Sequence, residues 1–228
     1  MIAEFEKCGI TITAVQSAML EKLAEYMVEY NKNVNLTRIT ERSEIIEKHY
    51  IDSILPLTMV DVPRGTRCID VGAGAGFPSL PMKIYRPDLD FTLLDSGNKR
   101  ITYLDSACKM LGIECITVHA RSEEAGNDKN LREKFGMSTA RAVATLNVLC
   151  EYCLPFVKVG GVFLALKGEK SETDIAENAI KVLGGEIEDV KSYNLPGGDK
   201  RNLVVIRKVS HTPPQYPRVS AKIAKKPL

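Results

Sequence analysis

Residues 68–78 read Cys68-Ile69-Asp70-Val71-Gly72-Ala73-Gly74-Ala75-Gly76-Phe77-Pro78, and they predict a buried strand that runs into a glycine-rich turn. Glycine allows the backbone to turn sharply and to approach a ligand closely. Pro78 suits the first position of a following helix, and the free amides at such a helix start point at polar groups of a ligand. This segment therefore predicts a strand, a turn and a helix arranged around a ligand.

An acidic residue at the end of the next predicted strand supports this interpretation. Asp95 follows the glycine turn by about 20 residues, the spacing at which an acid accepts hydrogen bonds from ribose hydroxyls. A glycine triplet alone is also compatible with a tight turn that binds nothing. Strand, turn, helix, second strand and acid together indicate a ligand of the adenosine type.

The glycine spacing separates two classes of adenosine-containing ligand. The dinucleotide fingerprint requires glycine or alanine three positions after its second glycine, where this chain has Phe77. The third glycine comes early, at Gly76, and Asp70 precedes the turn. This pattern resembles the first motif of S-adenosylmethionine methyltransferases, whose cofactor has no phosphate. On this interpretation Asp70 organises the loop and faces the methionine ammonium, directly or through water.

The chain beyond residue 66 alternates short apolar runs with amphipathic stretches, which is typical of parallel βαβ units with helices on both faces of a sheet. Strands are predicted at 66–71, 90–95, 114–118, 138–143, 160–167, 186–193 and 202–208, and helices at about 78–86, 98–111, 147–158 and 171–183. The connection 194–201 is too short for a crossover helix, so the last two strands are expected to form an antiparallel hairpin.

The two ends of the chain differ from this central part. Residues 1–62 predict a helical extension packed on the catalytic domain of residues 63–208, because Thr13 and Gln16 have the spacing of a capping box and a second helical region covers 40–58. From residue 207 onward there are six Lys or Arg residues, four prolines and no acid. Residues 209–228 therefore predict an extended basic tail that contacts phosphates, or one that is only solvated.

Composition excludes several classes of protein. A hydrophobic share of 44% with 26% charged residues is typical of a soluble globular protein. No apolar run approaches the roughly 18 residues of a membrane span, and acids precede any apolar stretch at the start, unlike a secretory signal. The six cysteines, including the pair Cys150 and Cys153 that alternatively suits a metal or redox site, are expected to be buried in a reducing cytoplasm.

Several blocks together resemble the RsmG family, also called GidB. They are Asn35–Thr37, His49–Ser53, Asp70–Pro81, Asp95–Arg100, Thr139–Ala144 and Arg201–Ile206. The resemblance implies a Rossmann-like class I methyltransferase of the α/β class, with a mostly parallel seven-stranded sheet, a C-terminal antiparallel hairpin and a helical N-terminal extension. It also implies methylation of guanine N7 in 16S ribosomal RNA, with S-adenosylmethionine as methyl donor. The partner would be that RNA or the small-subunit particle, met in the cytoplasm by a monomer without metal or membrane.

Carried over by position, the resemblance also implies which residues contact the cofactor. They are Gly72, Gly74, Phe77, Asp95, Ser96, Gly97, Ser122, Glu123 and Arg141. Gly72 and Phe77 would shape the methionine side, and Asp95 would hold the ribose. Ser122 and Glu123 would reach the adenine edge.

The chemistry implied by the resemblance requires no general base, because guanine N7 already carries an available lone pair. No catalytic residue is therefore assigned, and His49 is expected to be structural. RNA contacts are expected from cations near predicted strand ends, unless these are only solvated surface charges. They are Lys99, Arg100, Arg121, Lys167 and Arg201.

Three other functions remain open from the sequence. A nicotinamide-dependent oxidoreductase would need the dinucleotide glycine spacing, which Phe77 interrupts. A class I methyltransferase of another substrate would keep the pocket but not the N-terminal blocks. A non-catalytic RNA-binding protein of ribosome assembly would have no reason to keep both the glycine turn and Asp95.

Overall fold

The computed structural model describes residues 1–228 and places seven strands in one sheet, in the order β3-β2-β1-β4-β5-β7-β6. The strands are β1 (Arg67–Val71), β2 (Asp90–Asp95), β3 (Ile116–His119), β4 (Phe135–Arg141), β5 (Val157–Lys167), β6 (Gly185–Asn194) and β7 (Lys200–Lys208). Strands β1 to β5 are parallel, and β7 lies antiparallel between β5 and β6. The expected mostly parallel sheet with a terminal hairpin is confirmed.

Ten α-helices surround the sheet. They are α1 (Ile2–Glu6), α2 (Ala14–Asn31), α3 (Arg42–Glu44), α4 (Asp52–Met59), α5 (Ser79–Tyr85), α6 (Asn98–Leu111), α7 (Ser122–Ala125), α8 (Leu146–Cys153), α9 (Thr173–Val182) and α10 (Ser220–Lys225). None combines the length and the hydropathy that crossing a lipid bilayer requires. The order of the strands reverses between β1 and β4, and ligands of open α/β sheets bind in the crevice at such a point.

Two apolar cores lie on opposite faces of the sheet, because successive strand residues point to opposite sides. Cys68 of β1 belongs to the core shared with α2, α4, α5 and α6, whereas its neighbour Ile69 belongs to the core shared with α8 and α9. The capping box of α2 forms as predicted. The Gln16 amide also donates to the carbonyls of Ile84 and Tyr85, so the N-terminal helices are fixed to α5.

The second helical region differs from the prediction in its winding. A π-helix runs from Ile45 to Ile51 between α3 and α4, and such wide turns occur frequently at functional sites. The π-helix and the start of α4 bring His49 and Asp52, both buried, to face Arg141 at the end of β4.

The expected long helix at 147–158 is wrong at its C-terminal end. Helix α8 ends at Cys153, a 3-10 turn follows at Leu154–Phe156, and β5 already begins at Val157. Pro155 explains the change, because proline has no amide hydrogen to continue an α-helical ladder. Cys150 and Cys153 are fully buried in α8 as expected, whereas Cys8 and Cys115 are only partly buried.

Residues 209–228, here called the C-terminal strap, are not the extended tail that the sequence predicts. The Arg132 guanidinium donates to the carbonyls of Thr212, Pro213 and Tyr216. Further along, α10 forms and the side chain of Ile223 is fully buried. The strap therefore folds back onto the domain, held there by the hydrogen bonds from Arg132 and by the burial of the apolar Ile223 side chain.

Candidate functional site

A cavity of about 440 Å³, here called the first cavity, opens where β1, β2 and β4 end. Eight of the nine residues expected to contact the cofactor line it: Gly72, Gly74, Phe77, Asp95, Ser96, Ser122, Glu123 and Arg141. Gly97 does not line it. The sheet therefore gathers residues from four separate loops, as the carboxyl ends of parallel strands do.

The glycine turn leaves no room for side chains at two positions. Gly72 has φ +79°, and a Cβ there would lie 2.8 Å from the Val143 side chain. Gly76 has φ +87°, and a Cβ there would collide with Leu80. Both conformations favour glycine. The turn can follow this course only because these residues have no side chain, and Gly72 thereby brings its backbone to the wall of the first cavity.

Asp95 is held rigidly at the edge of the first cavity. Its Oδ2 accepts a hydrogen bond from the Gly74 amide at 2.9 Å, and its Oδ1 accepts one from the Gly97 amide at 2.8 Å. Each carboxylate oxygen keeps a further acceptor site, which suits the two hydroxyls of a ribose. Gly97 thus orients Asp95 and does not face the cavity.

Asp70 lies beneath the glycine turn, with no exposed surface. Its Oδ2 accepts a hydrogen bond from the Ser79 amide at 3.3 Å, while Oδ1 has no partner. Burial raises the pKa of the Asp70 carboxyl to about 6, against the lowering effect of the hydrogen bonds from Ser79. Asp70 organises the loop as expected. Its side chain does not line the first cavity, and its contact with a ligand ammonium, directly or through water, stays a prediction.

Arg141 joins the sheet to the N-terminal helices. Its guanidinium donates to Asp52 Oδ2 at 3.0 Å, to the Lys48 carbonyl at 2.8 Å and to His49 Nδ1 at 3.1 Å. It also lies 5.4 Å from the centre of the Phe77 ring. Arg141 lines the first cavity, but its hydrogen bonds go to the protein, so its main role is to hold the π-helix against β4.

His49 is an uncharged part of this arrangement. Its ring stacks on Phe77 with 4.1 Å between centroids, and Nε2 lies 3.0 Å from Thr37 Oγ1. Because Arg141 can only donate, Nδ1 accepts and the proton is on Nε2. Burial, with the charge of Arg141, lowers the pKa of His49 to about 3. The ring is therefore neutral at physiological pH, in agreement with a structural role.

A second cavity of about 640 Å³ shares His49, Arg141 and Ala142 with the first. Asp52 lies in its wall and binds two cations: Arg141 at 3.0 Å and Arg201 at 3.1 Å. The sequence did not single out Asp52 as a site residue. An acid within an otherwise apolar helical stretch was the available signal.

The five cations expected to contact RNA occupy different places. Arg100 and Arg121 are exposed and line the first cavity, and Lys99 is exposed but lines neither. Lys167 and Arg201 line the second cavity. Lys167 is paired with Glu172 at 2.8 Å, and Arg201 with Asp52, so these two are largely buried ion pairs and not free surface charges.

Other residues of the first cavity were missed from the sequence. They include Leu36, Thr37, Val143, Tyr152 and Ser220. Leu36 and Thr37 lie in a block that contributed only to the resemblance. Tyr152 and Ser220 come from a helix and from the C-terminal strap, and no local pattern marks them.

Comparison with known proteins agrees with this geometry. The GidB family, described as rRNA small subunit methyltransferase G, matches residues 16–204. The ribosomal RNA small subunit methyltransferase G of Lactobacillus johnsonii is 48% identical over 231 residues, covering 99% of this chain and 97% of that protein. The protein of the same name from Moorella thermoacetica is 44% identical over 235 residues, covering 100% of this chain and 97% of that protein.

A solved structure shows the same fold. A SAM-dependent O-methyltransferase from Thermotoga maritima superposes with a TM-score of 0.54, covering 81% of this chain and 72% of that chain at 14% identity. This likeness concerns the fold alone. The match to the family and the sequence identity to the two relatives extend over most or all of the chain, and they agree with the glycine turn and the N-terminal blocks. The chain therefore belongs to the GidB family of rRNA small subunit methyltransferases.

Proposed function

We propose that this protein transfers the methyl group of S-adenosylmethionine to N7 of a guanine in 16S ribosomal RNA, where its two cavities meet. The observation that carries the proposal is the first cavity, in which the glycine turn and the doubly held Asp95 face one space, in a chain of the GidB family. We propose that the enzyme acts as a monomer in the cytoplasm.

The residues of the first cavity fit the methyl donor. Gly72, Gly74 and Phe77 would hold the methionine part, since the glycines let the backbone approach it. Asp95 would accept from the ribose hydroxyls, with Ser96 beside it and Gly97 orienting it. Ser122 and Glu123 would bind the adenine edge.

The protein contributes alignment to the reaction. When bound, S-adenosylmethionine supplies an electrophilic methyl group on a sulfonium sulfur. Guanine N7 would bond to the methyl carbon through its own lone pair and would lose no proton, while the electron pair of the broken carbon–sulfur bond would stay on the sulfur of the leaving thioether. A neutral His49 is therefore sufficient as a fixed part of the wall. Holding the two reacting groups in line contributes on the order of 7–11 kcal/mol. Arg141, Asp52 and His49 serve this alignment by fixing the junction of the cavities.

The second cavity would receive the target nucleotide. In A-form RNA the N7 edge lies in a groove too narrow for side chains, so the enzyme has to bind an unpaired or splayed-out base. Lys167 and Arg201 are paired with acids, but the lining as a whole would still be net positive toward phosphates. Its five cations are Lys48, Arg141, Lys167, Lys170 and Arg201, and its three acids are Asp52, Glu169 and Glu172. Lys99, Arg100 and Arg121 would contact flanking RNA, together with the exposed strap lysines at 222, 225 and 226.

The test is to map 7-methylguanosine in 16S ribosomal RNA from cells with and without this protein. Loss of one modified guanine, restored in vitro by the purified enzyme and S-adenosylmethionine, is the expected result. An Asp95→Ala variant serves as the negative control. An unchanged modification pattern, or methyl transfer to another position, would refute the proposal.

A further inference from the structure

The C-terminal strap reaches the first cavity. Ser220 lines that cavity, and so does Tyr152 of α8, whose hydroxyl lies 3.5 Å from the Ser220 hydroxyl. We propose that the strap forms the wall of the first cavity at the adenine end of the methyl donor, and that Ser220 determines how tightly this end is held. This inference rests on the proposed function.

The position of the strap identifies the adenine end. Ser122 and Glu123 of α7 are the residues proposed to bind the adenine edge, whereas Arg141 lines both cavities and would belong to the methyl end. The strap packs against α7 instead: the Asn127 side chain donates to the carbonyls of both Glu123 and Pro217. The strap therefore lies beside the helix that carries Ser122 and Glu123.

The strap is anchored immediately before Ser220. Glu151 is fully buried, and its carboxylate accepts hydrogen bonds from the Arg218 amide and Nε, each at 2.8 Å, and from Nη2 at 2.5 Å. Glu151 directly precedes Tyr152 in α8. Because one ion pair fixes both chain segments, the positions of Tyr152 and Ser220 are coupled. A buried pair of this kind is costly to break, so the wall is formed before the ligand binds.

The contacts of the wall suit a purine. Two neighbouring hydroxyls can each donate and accept a hydrogen bond, and adenine offers ring nitrogen acceptors and an exocyclic amino donor. The Tyr152 ring packs partly against the core of α8 and α9, which gives the wall an apolar portion as well. Bulk added at position 220 would enter the space of the adenine, whereas bulk at Val219 would not, because that side chain is 68% exposed and lies outside the cavity.

The test compares Ser220→Trp with Val219→Trp as its matched control. The probe is S-adenosylhomocysteine, the reaction product, and binding is measured by titration calorimetry without any turnover. We expect Ser220→Trp to weaken binding at least about tenfold, equal to 1.4 kcal/mol, and Val219→Trp to bind as the wild type does. Wild-type affinity in Ser220→Trp would overturn the inference.

Two further measurements decide the matter if Ser220→Trp does not fold. A Ser220→Val variant adds less bulk at the same position and leaves the rest of the strap unchanged, and we expect it to bind the probe more weakly than the wild type does. In the wild type, hydrogen exchange at residues 219–226 should slow when the probe is added; unchanged exchange would overturn the inference. If the wild type does not bind the probe at all, the proposed function fails. If wild type and variants bind it equally, only the strap inference fails.

Discussion

Asp95 both orders the glycine turn, through Gly74, and faces the first cavity. We expect Asp95→Ala to weaken S-adenosylhomocysteine binding by about 1.5–3 kcal/mol, the scale of a hydrogen bond to a charged group. Calorimetric titration measures this loss. Asp90→Ala, at the exposed start of the same strand, is the control. Equal affinities in the two variants would show that Asp95 does not bind the ribose.

His49 makes stability depend on pH in a defined direction. Its pKa falls from the ordinary 6.5 to about 3 in the folded protein, so between these values the unfolded chain binds more protons. The free energy of unfolding therefore decreases as the pH falls below about 6.5, and this contribution is fully present above that pH. We expect the free energy of unfolding, measured with urea, to fall more between pH 7.5 and pH 5 for the wild type than for His49→Gln. The glutamine keeps an acceptor for Arg141. Equal losses would mean that His49 titrates normally.

The carboxylate of Asp52 connects three elements: the start of α4, the end of β4 and the start of β7. Asp52 accepts from Arg141 and Arg201. Removing its charge would leave the largely buried Arg141 guanidinium without an anion and Arg201 with only Asp199, at 3.4 Å. We expect Asp52→Asn to lower the free energy of unfolding by about 3–5 kcal/mol, the usual cost of breaking a buried pair. Chemical denaturation measures the change, with the exposed Asp61→Asn as control. A loss below about 1 kcal/mol, typical of a surface pair, would contradict this role.

Local sequence patterns could predict those elements that are specified by residues close together in the chain. Strands β1 and β2 and helix α6 follow the predicted bounds closely, because period and turn residues mark them. The strap could not be predicted, since Arg218 finds Glu151 at a separation of 67 residues. The π-helix also gives no sequence signal distinct from an ordinary helix. For the same reason the sequence identified Asp95 and the glycine turn, but neither Asp52 nor Ser220.

On the scale of the whole molecule, RNA attraction has to come from local clusters, because the net charge is only +2. Cations already paired within the protein release few counterions when RNA binds, whereas free ones release about 0.7–0.9 per phosphate contact. Arg121 is exposed, and Arg100 is exposed with only a 3.6 Å approach to Asp95. Lys167 and Arg201 are paired and largely buried. The exposed pair should therefore contribute more than the buried pair to the salt dependence of RNA binding.

We expect the double variant Arg100→Ala, Arg121→Ala to lower the slope of log affinity against log salt by about 1.5–2, since two phosphate contacts are lost. Lys129→Ala with Lys134→Ala is the matched control, because both lysines are exposed and lie outside the two cavities. The slope is measured by RNA binding at several salt concentrations, with S-adenosylhomocysteine binding checked separately, as Arg100 lies near Asp95. If the slope stays at the wild-type value, RNA does not cross the opening of the first cavity. The target base would then have to reach the second cavity from the side of Lys170, and only variants on that side would change the slope.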